Sequence, residues 1–392
     1  MSGPRKNAFK AMDNLVRNIR VRSPTDMSLL EKPRRKRKVF VKVNFLKVTD
    51  IDTLKEVFHA DIFVQTRWRE PSLDSAQETK RIDTSKYWNP KIIITNSAPS
   101  VDCRVWASVS QNTVGEAYIV EKRRLKGVFS ENLELHEFPF DVQDLSVVVS
   151  SEHEDDLIEI VEDEEEISAV NVMCFVDETE WHIRDLVYTE PRVFNKEISD
   201  TQFKNPALLV KCVATRRAGF FLYNIIMIMT MISSLSLTTF GVNTVKIENR
   251  LQLGFIITLT GVTFKMVSTS SLPKIPYLTH LDRFIIGNMS FNWLVCVWHG
   301  ILSQLQERDN IAEIDSYAFY TLTAVFVLFQ LIIWIIIIAR RAKRLYAVDI
   351  IEKAYQEKAL SLMGSSWKND RRARKMRLNM RNKIDAAGTF AV

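Results

Sequence analysis

Between Glu248 and Met266 the chain has one polar stripe running through an otherwise apolar stretch. A helix turns about 100° per residue, which places Glu248, Gln252, Ile256, Leu259, Thr263 and Met266 on one face, within roughly 40° either side of its centre. Along that face the chemistry runs from carboxylate and amide, through two bulky aliphatics, to a hydroxyl and a thioether. A helix that meets lipid all round has no use for such an order. Copies ringed about a water-filled axis would show a charged ring at Glu248, a hydrophobic constriction at Ile256 and Leu259, and a polar mouth, the parts that filter and gate ions. Polar residues are also tolerated in packed bundles, but ionisable side chains inside spans usually mark a pathway. Lys265 falls on the far side of the helix from the stripe.

Such a stripe needs a membrane frame. Residues 220–240, 251–267, 284–302 and 317–339 are apolar runs of spanning or near-spanning length, roughly 20 residues being enough to cross the hydrocarbon core. They predict four helices at about 217–240, 247–267, 281–305 and 316–339, a transmembrane domain over 217–339. Residues 39–216 contain no such run and read as a soluble domain of short strands, among them VFVKVNFLKV (39–48), DIFVQTRW (61–68), LSVVVSS (145–151), WHIRDLVY (181–188) and ALLVKCVATR (207–216). Pro, Asn, Asp and Ser punctuate them. Many short alternating strands favour an immunoglobulin-like β-sandwich.

Charge divides the chain differently. The net +6 conceals a basic segment at 1–38 and a basic tail at 340–392, each +9, around a body of −12. RRKRK at 34–38 and RRARKMR at 371–377 read as solvated tails, and no nucleic-acid partner is drawn from them. In the tail, Asp349 to Met363 has the pattern of an amphipathic helix that prolongs the fourth span. The acidic segment EHEDDLIEIVEDEEE (152–166) lacks the glycine-punctuated spacing of a preformed calcium loop and reads as a strand edge protected by charge, with His153 a surface residue. Cys103, Cys174, Cys212 and Cys296 have no metal-ligand spacing and indicate no disulfide framework. The N-terminus shows no apolar signal region. No nucleophile, acid–base or metal constellation is present, so neither an enzyme nor a cofactor is expected.

FPFDVQ at 138–143, within ENLELHEFPFDVQDL, resembles the signature loop of the pentameric ligand-gated ion channels, the Cys-loop receptor family. Other matches follow in family order: WRE (68–70), WNPKIII (88–94), Glu180–Trp181, Arg216–Arg217 before the first span, ENRLQLGFIITLTGVTF (248–264) as the pore helix, and LPKIPY (272–277) as the linker after it. The flanking cysteines of the signature loop fall on Glu131 and Leu145, so the resemblance is to the branch without them. It covers roughly residues 39 to 339.

The resemblance implies a homopentamer, each subunit giving an extracellular β-sandwich and four membrane helices, in the plasma membrane among its lipids. Glu248 takes the inner-ring carboxylate position and Leu259 the central gate, and the absence of a Pro-Ala-Arg type insertion in NTVKIENR (243–250) implies monovalent cations as the permeant ions. Coupling between the domains is implied at Asp52 in the loop after the first strand, at Phe138, Pro139 and Asp141, at Arg216, and at Pro273, Lys274 and Tyr277. An Asp141–Arg216 pair is the expected link. The agonist site departs from amine-binding relatives: Phe63 keeps one aromatic of the cage, while the others fall on Thr95, Glu152 or His153, and Ala207, and the capping loop near Phe194 has no paired cysteines. The agonist is then a small molecule or ion of unidentified chemistry. A non-conducting binding or scaffold protein of the same architecture is the alternative. Basic tails alone would put both ends in the cytoplasm; the resemblance puts both outside.

Overall fold

A computed structural model describes residues 36–74, 82–172, 180–195, 204–270, 275–305 and 310–388. The segments at 1–35 and 271–274 are outside it, and with them Pro273 and Lys274. Ten strands form two sheets. The first has the order β4 (Asp102–Gln111), β5 (Ala117–Ser130), β2 (Val57–Arg69), β1 (Arg37–Asp52) and β7 (Ile158–Glu162), with β8 (Ala169–Val170) also on β1; the second runs β3 (Ile92–Ile94), β6 (Val142–Ser151), β10 (Lys204–Arg216), β9 (Trp181–Asn195).

Alternation in the sequence builds this sandwich. In β1, Val39, Val41, Val43 and Phe45 are buried while Phe40, Lys42 and Asn44 are half-buried on the other face, the period-2 pattern of a strand with one core side. The pattern shifts at Leu46–Lys47, where the pairing with β2 slips; the buried set resumes at Val48 and Ile51. An extra residue of this kind bends a strand and raises its twist. Trp68 and Phe129 of the first sheet share one buried core with Leu145, Trp181, Val210 and Cys212 of the second.

The acidic segment forms a charged edge of the first sheet, as its composition suggests. Its centre is β7, parallel to β1, and several of its carboxylates are paired: Asp155 with Lys36, Asp163 and Glu165 with Arg67, Glu166 with Lys42. Among the described residues no cluster has the makings of a metal site.

Among the described residues four helices are long and apolar enough to cross a membrane. Here α1 is Gly219–Gly241, α2 Ile247–Ser270, α3 His280–Gln304 and α4 Ile311–Gly388. Thr279 caps α3 in a reciprocal box with Asp282, which satisfies two donors at the helix start. Gly254 lets α2 approach α3 closely: a Cβ there would stand 2.7 Å from Cys296 Sγ.

The fourth helix runs on past residue 339, prolonged through Asp349 to Met363 as their amphipathic pattern suggests. Its first 55 residues, Ile311–Ser365, would run roughly 80 Å at 1.5 Å each, far more than the ~30 Å of a hydrocarbon core. The excess lies along the sandwich. Arg184 of β9 donates to Asp349 at 2.9 Å and to Glu352 at 3.0 Å. Lys358 pairs with Glu162 of β7 at 2.8 Å, and the Tyr355 hydroxyl donates to the Ser168 carbonyl. Val348, Tyr355 and Ala359, spaced for one helical face, are buried in the sandwich core cluster. Gly364, at φ 64° and ψ −155°, takes a conformation open only to glycine and breaks the helix, after which Trp367 is buried against the same cluster. Tail and sandwich therefore share one side of the helical domain.

Replacing Trp367 by Ala should weaken tail docking by about 3 kcal/mol, the scale of a buried Trp truncation. Faster tryptic cleavage after the Lys and Arg residues beyond 340, with the sandwich itself intact, is the expected readout.

Candidate functional site

Two sites need assembly, the face of α2 and the seam between sandwich and helices. On α2 the side turned to α1 and α3 is made by Arg250, Gly254, Gly261 and Ser268, all buried. The opposite side carries Glu248, Gln252, Ile256, Leu259, Thr263 and Met266, every one exposed in the single subunit; Leu259 is 66% and Met266 77% exposed. Thr263 Oγ1 donates back to the Leu259 carbonyl at 2.9 Å, so its hydroxyl proton is already satisfied. Lys265 is half-buried away from the stripe.

Arg250 has a role that sequence reasoning missed. Its guanidinium is buried, pairs with Asp315 at the head of α4 at 2.8 Å, and donates to the carbonyls of Val242 at 2.6 Å and Phe240 at 3.0 Å. Trp298 Nε1 reaches the other Asp315 oxygen at 3.3 Å. One arginine thus pins the inner end of α2 to the α1–α2 turn and to α4. It is turned away from Glu248, which has no ion pair among the described residues. The signal was present in the sequence as opposite charges at the heads of two apolar runs, but nothing local says they meet.

The seam is built on the FPF loop. Phe138 and Leu135 are buried among Ile225, Ile226 and Met229 of α1 and Leu281, Phe284 and Ile285 of α3. Phe140 packs with Ala218 and Ile337. The loop therefore plugs the top of the helical domain with apolar side chains. Its backbone is tied as well: Leu281 N–H donates to the Phe138 carbonyl at 3.3 Å, and Leu135 N–H to the Tyr277 hydroxyl at 3.0 Å. His136 stacks on the Tyr277 ring at 3.8 Å. The Phe138–Pro139 peptide is cis.

Behind the plug lies a charge. Arg216, the last residue of β10, donates from Nε to Asp141 Oδ1 at 2.8 Å, and both side chains are 2% exposed. A second nitrogen contacts Glu180. The guanidinium sits 4.1 Å over the Trp181 ring and 4.9 Å from the Phe138 ring, an arrangement in which cation–π attraction offsets part of the desolvation. Gln143 fills Asp141's other oxygen at 2.8 Å. Removing one member of such a pair strands a buried charge, at roughly 3–5 kcal/mol. Asp52 stays within its own turn: it accepts from the N–H groups of Leu54 and Lys55, and the Lys55 ammonium on its carboxylate holds it below the ordinary range.

The agonist positions do not converge within one subunit. Thr95, Glu152 and Ala207 lie at one end of the β3–β6–β10 sheet, and Phe194 is opposite Asn205 on β9. Phe63 lies on β2 in the other sheet, its ring 6.0 Å from that of Trp106. Ala207 is buried against Val148 and Leu209, and Glu152 leans on Lys91 at 3.6 Å. His153, expected on the surface, is half-buried. It stacks on Trp88 and meets the Asn89 carbonyl at 3.0 Å, with Arg37 over the same Trp88 ring.

Residues 23–216 match a family model described as the neurotransmitter-gated ion-channel ligand binding domain. A protein named pH-sensitive chloride channel 2, from Anopheles gambiae, is 22% identical over 241 residues, which cover 58% of this chain and 38% of that protein. The chain thus matches about two fifths of that relative's length. Fold, seam and family match agree in supporting the pentameric ligand-gated ion-channel superfamily, the Cys-loop receptors, in a form without cysteines at the signature loop.

Proposed function

We propose that copies of this chain assemble as a pentamer around α2 and conduct ions across a cell membrane when a stimulus acts on the sandwich. The observation that carries this is the α2 stripe. All six of its residues are open in the lone subunit while the reverse face is buried and pinned by Arg250. Leu259 and Ile256 would close the path by dewetting, and Glu248 would set the charge of its inner mouth. The separation of Phe63 from Thr95, Glu152 and Ala207 supports an agonist site shared by neighbouring subunits. The sandwich and the basic tail would face outward.

A ring of carboxylates free of Arg250 concentrates cations, and cation conduction is the selectivity proposed. Anion conduction is the second reading, favoured by the relative named as a chloride channel. Reversal potentials in a salt gradient separate them by sign.

In liposomes, Leu259→Ala should raise stimulus-free flux about tenfold or more, since ~1.4 kcal/mol of bias between closed and open suffices. Unchanged basal flux would argue against a gate at this residue. From a cation-selective value, Glu248→Ala should move the reversal potential toward zero, because the ring that concentrates cations is lost. A shift the other way, or none, would remove Glu248 from the filter.

Asp141→Ala should abolish flux evoked by acid steps, small amines or small carboxylic acids while pentamers still form by size-exclusion chromatography. If they do not form, Asp141→Asn, which keeps the volume, reads the charge alone. Normal evoked flux in both variants would show that the Arg216 pair does not transmit the stimulus.

A further inference from the structure

The roots of the FPF loop are stitched by side chains. Glu131 follows β5, and Ser146 lies in β6. Ser146 gives its backbone N–H, at 2.7 Å, and its hydroxyl to the same Glu131 oxygen. Asn96 bridges the same gap, donating to the carbonyls of Ser130 at 3.0 Å and Ser146 at 2.8 Å and accepting from Val148 N–H at 3.0 Å. The stitch stands where the resemblance puts paired cysteines, at Glu131 and beside Leu145. A covalent link holds a loop at any pH; a carboxylate does not.

We propose that Glu131 is a protonatable clasp: it closes the neck of the FPF loop and makes the seating of that loop on the helices, and with it gating, respond to protons. The gating clause rests on the channel reading above; the clasp does not.

The surroundings leave Glu131 with little compensation. It opens on a cleft of about 460 Å³ between the loop, the outward face of the β3–β6–β10–β9 sheet and α4, a path by which protons reach it. The cations facing that cleft belong to other acids. Lys211 of β10 and Arg192 of β9 both bond Glu190, at 2.5 and 3.1 Å, and Arg344 of α4 leans toward Asp144 of β6 at 3.8 Å. The loop itself adds Glu134, His136, Glu137 and Asp141 to the lining. Asp141 is taken by Arg216, and His136 by Tyr277. Burial therefore raises the Glu131 carboxyl above the ordinary range, against the lowering effect of the Ser146 bonds.

A carboxyl raised in this conformation binds its proton more tightly here than in a solvated loop. The stabilisation is complete below the ordinary Glu value and is lost as pH rises through the raised one. Acid therefore favours the seated loop, the neutral carboxyl still accepting from Ser146 N–H.

Hydrogen exchange of residues 131–146, measured on the full-length protein in detergent from about pH 7 to about pH 4 and corrected for intrinsic rate, tests this around the ordinary value of ~4.3. Exchange should slow roughly 2- to 10-fold on acidification, the scale of one hydrogen bond. Glu131→Gln, neutral and of the same shape, should hold the slow rate at every pH. Ser146→Ala removes a donor that favours the ionised carboxylate, so it should speed exchange at neutral pH and move the midpoint of the pH response upward, which keeps the test alive if the first variant does not fold. A pH-independent wild-type segment, a Gln variant that titrates like wild type, or a Ser146→Ala variant indistinguishable from wild type would overturn the clasp. Pairing exchange with flux in liposomes keeps the two readings apart. Exchange that titrates without any flux supports the clasp and counts against the channel; flux that titrates unchanged in Glu131→Gln counts against the clasp.

Discussion

The architecture turns on one buried cation. Arg216 ends the last strand of the sandwich, stands three residues before α1 begins, and is held by Asp141, Glu180 and the faces of Trp181 and Phe138. A guanidinium taken out of water is stable only while most of its donors and its ring faces are occupied. That requirement fixes the FPF loop, the end of β10 and the start of β9 relative to one another. With the loop fixed, Phe138 and Leu135 enter the top of the helical domain at a single position. Moving the sandwich without moving the helices would have to break either a buried ion pair or an apolar plug.

The inner end of the helical domain uses the same device. Arg250 and Asp315 form a buried pair that also satisfies two backbone carbonyls of the α1–α2 turn. One end of α2 is therefore anchored to α1 and α4. The other end, through Phe264, adjoins the cluster that receives the FPF loop. A helix pinned at its base and touched at its top is suited to tilt or rotate about the pin, and the stripe from Glu248 to Met266 would swing with it. The long α4 adds a second tie between the domains, outside the seam, through Arg184, Tyr355 and Lys358.

Much of this was legible in the sequence, for reasons of periodicity. The alternation of Val39, Val41, Val43 and Phe45 against Lys42 and Asn44 reports a strand with one wet face, and the stripe on α2 reports a helix with one polar face. Neither depends on what lies across from it. The Asp141–Arg216 contact was expected from resemblance alone, since the residues are 75 positions apart. His153 was misjudged because a histidine in an acidic run looks solvated until Trp88 is placed beneath it. The acidic segment was legible as a charged strand edge, but its partners Lys36, Lys42 and Arg67 were not, being far off in the chain.

By itself the sequence determined what each segment must bury, because apolar spacing along a helix or strand is a local property: two sheets' worth of strands, four spans, and the face of α2 that has no apolar partner. Only the tertiary structure decided which charges are paired and which side the tail occupies. Arg250 is turned to Asp315 and not to Glu248, and the amphipathic helix of the tail lays its apolar side along the sandwich. Ion pairs and helix docking join residues whose separation in sequence carries no period, so their partners become defined only when the chain is folded.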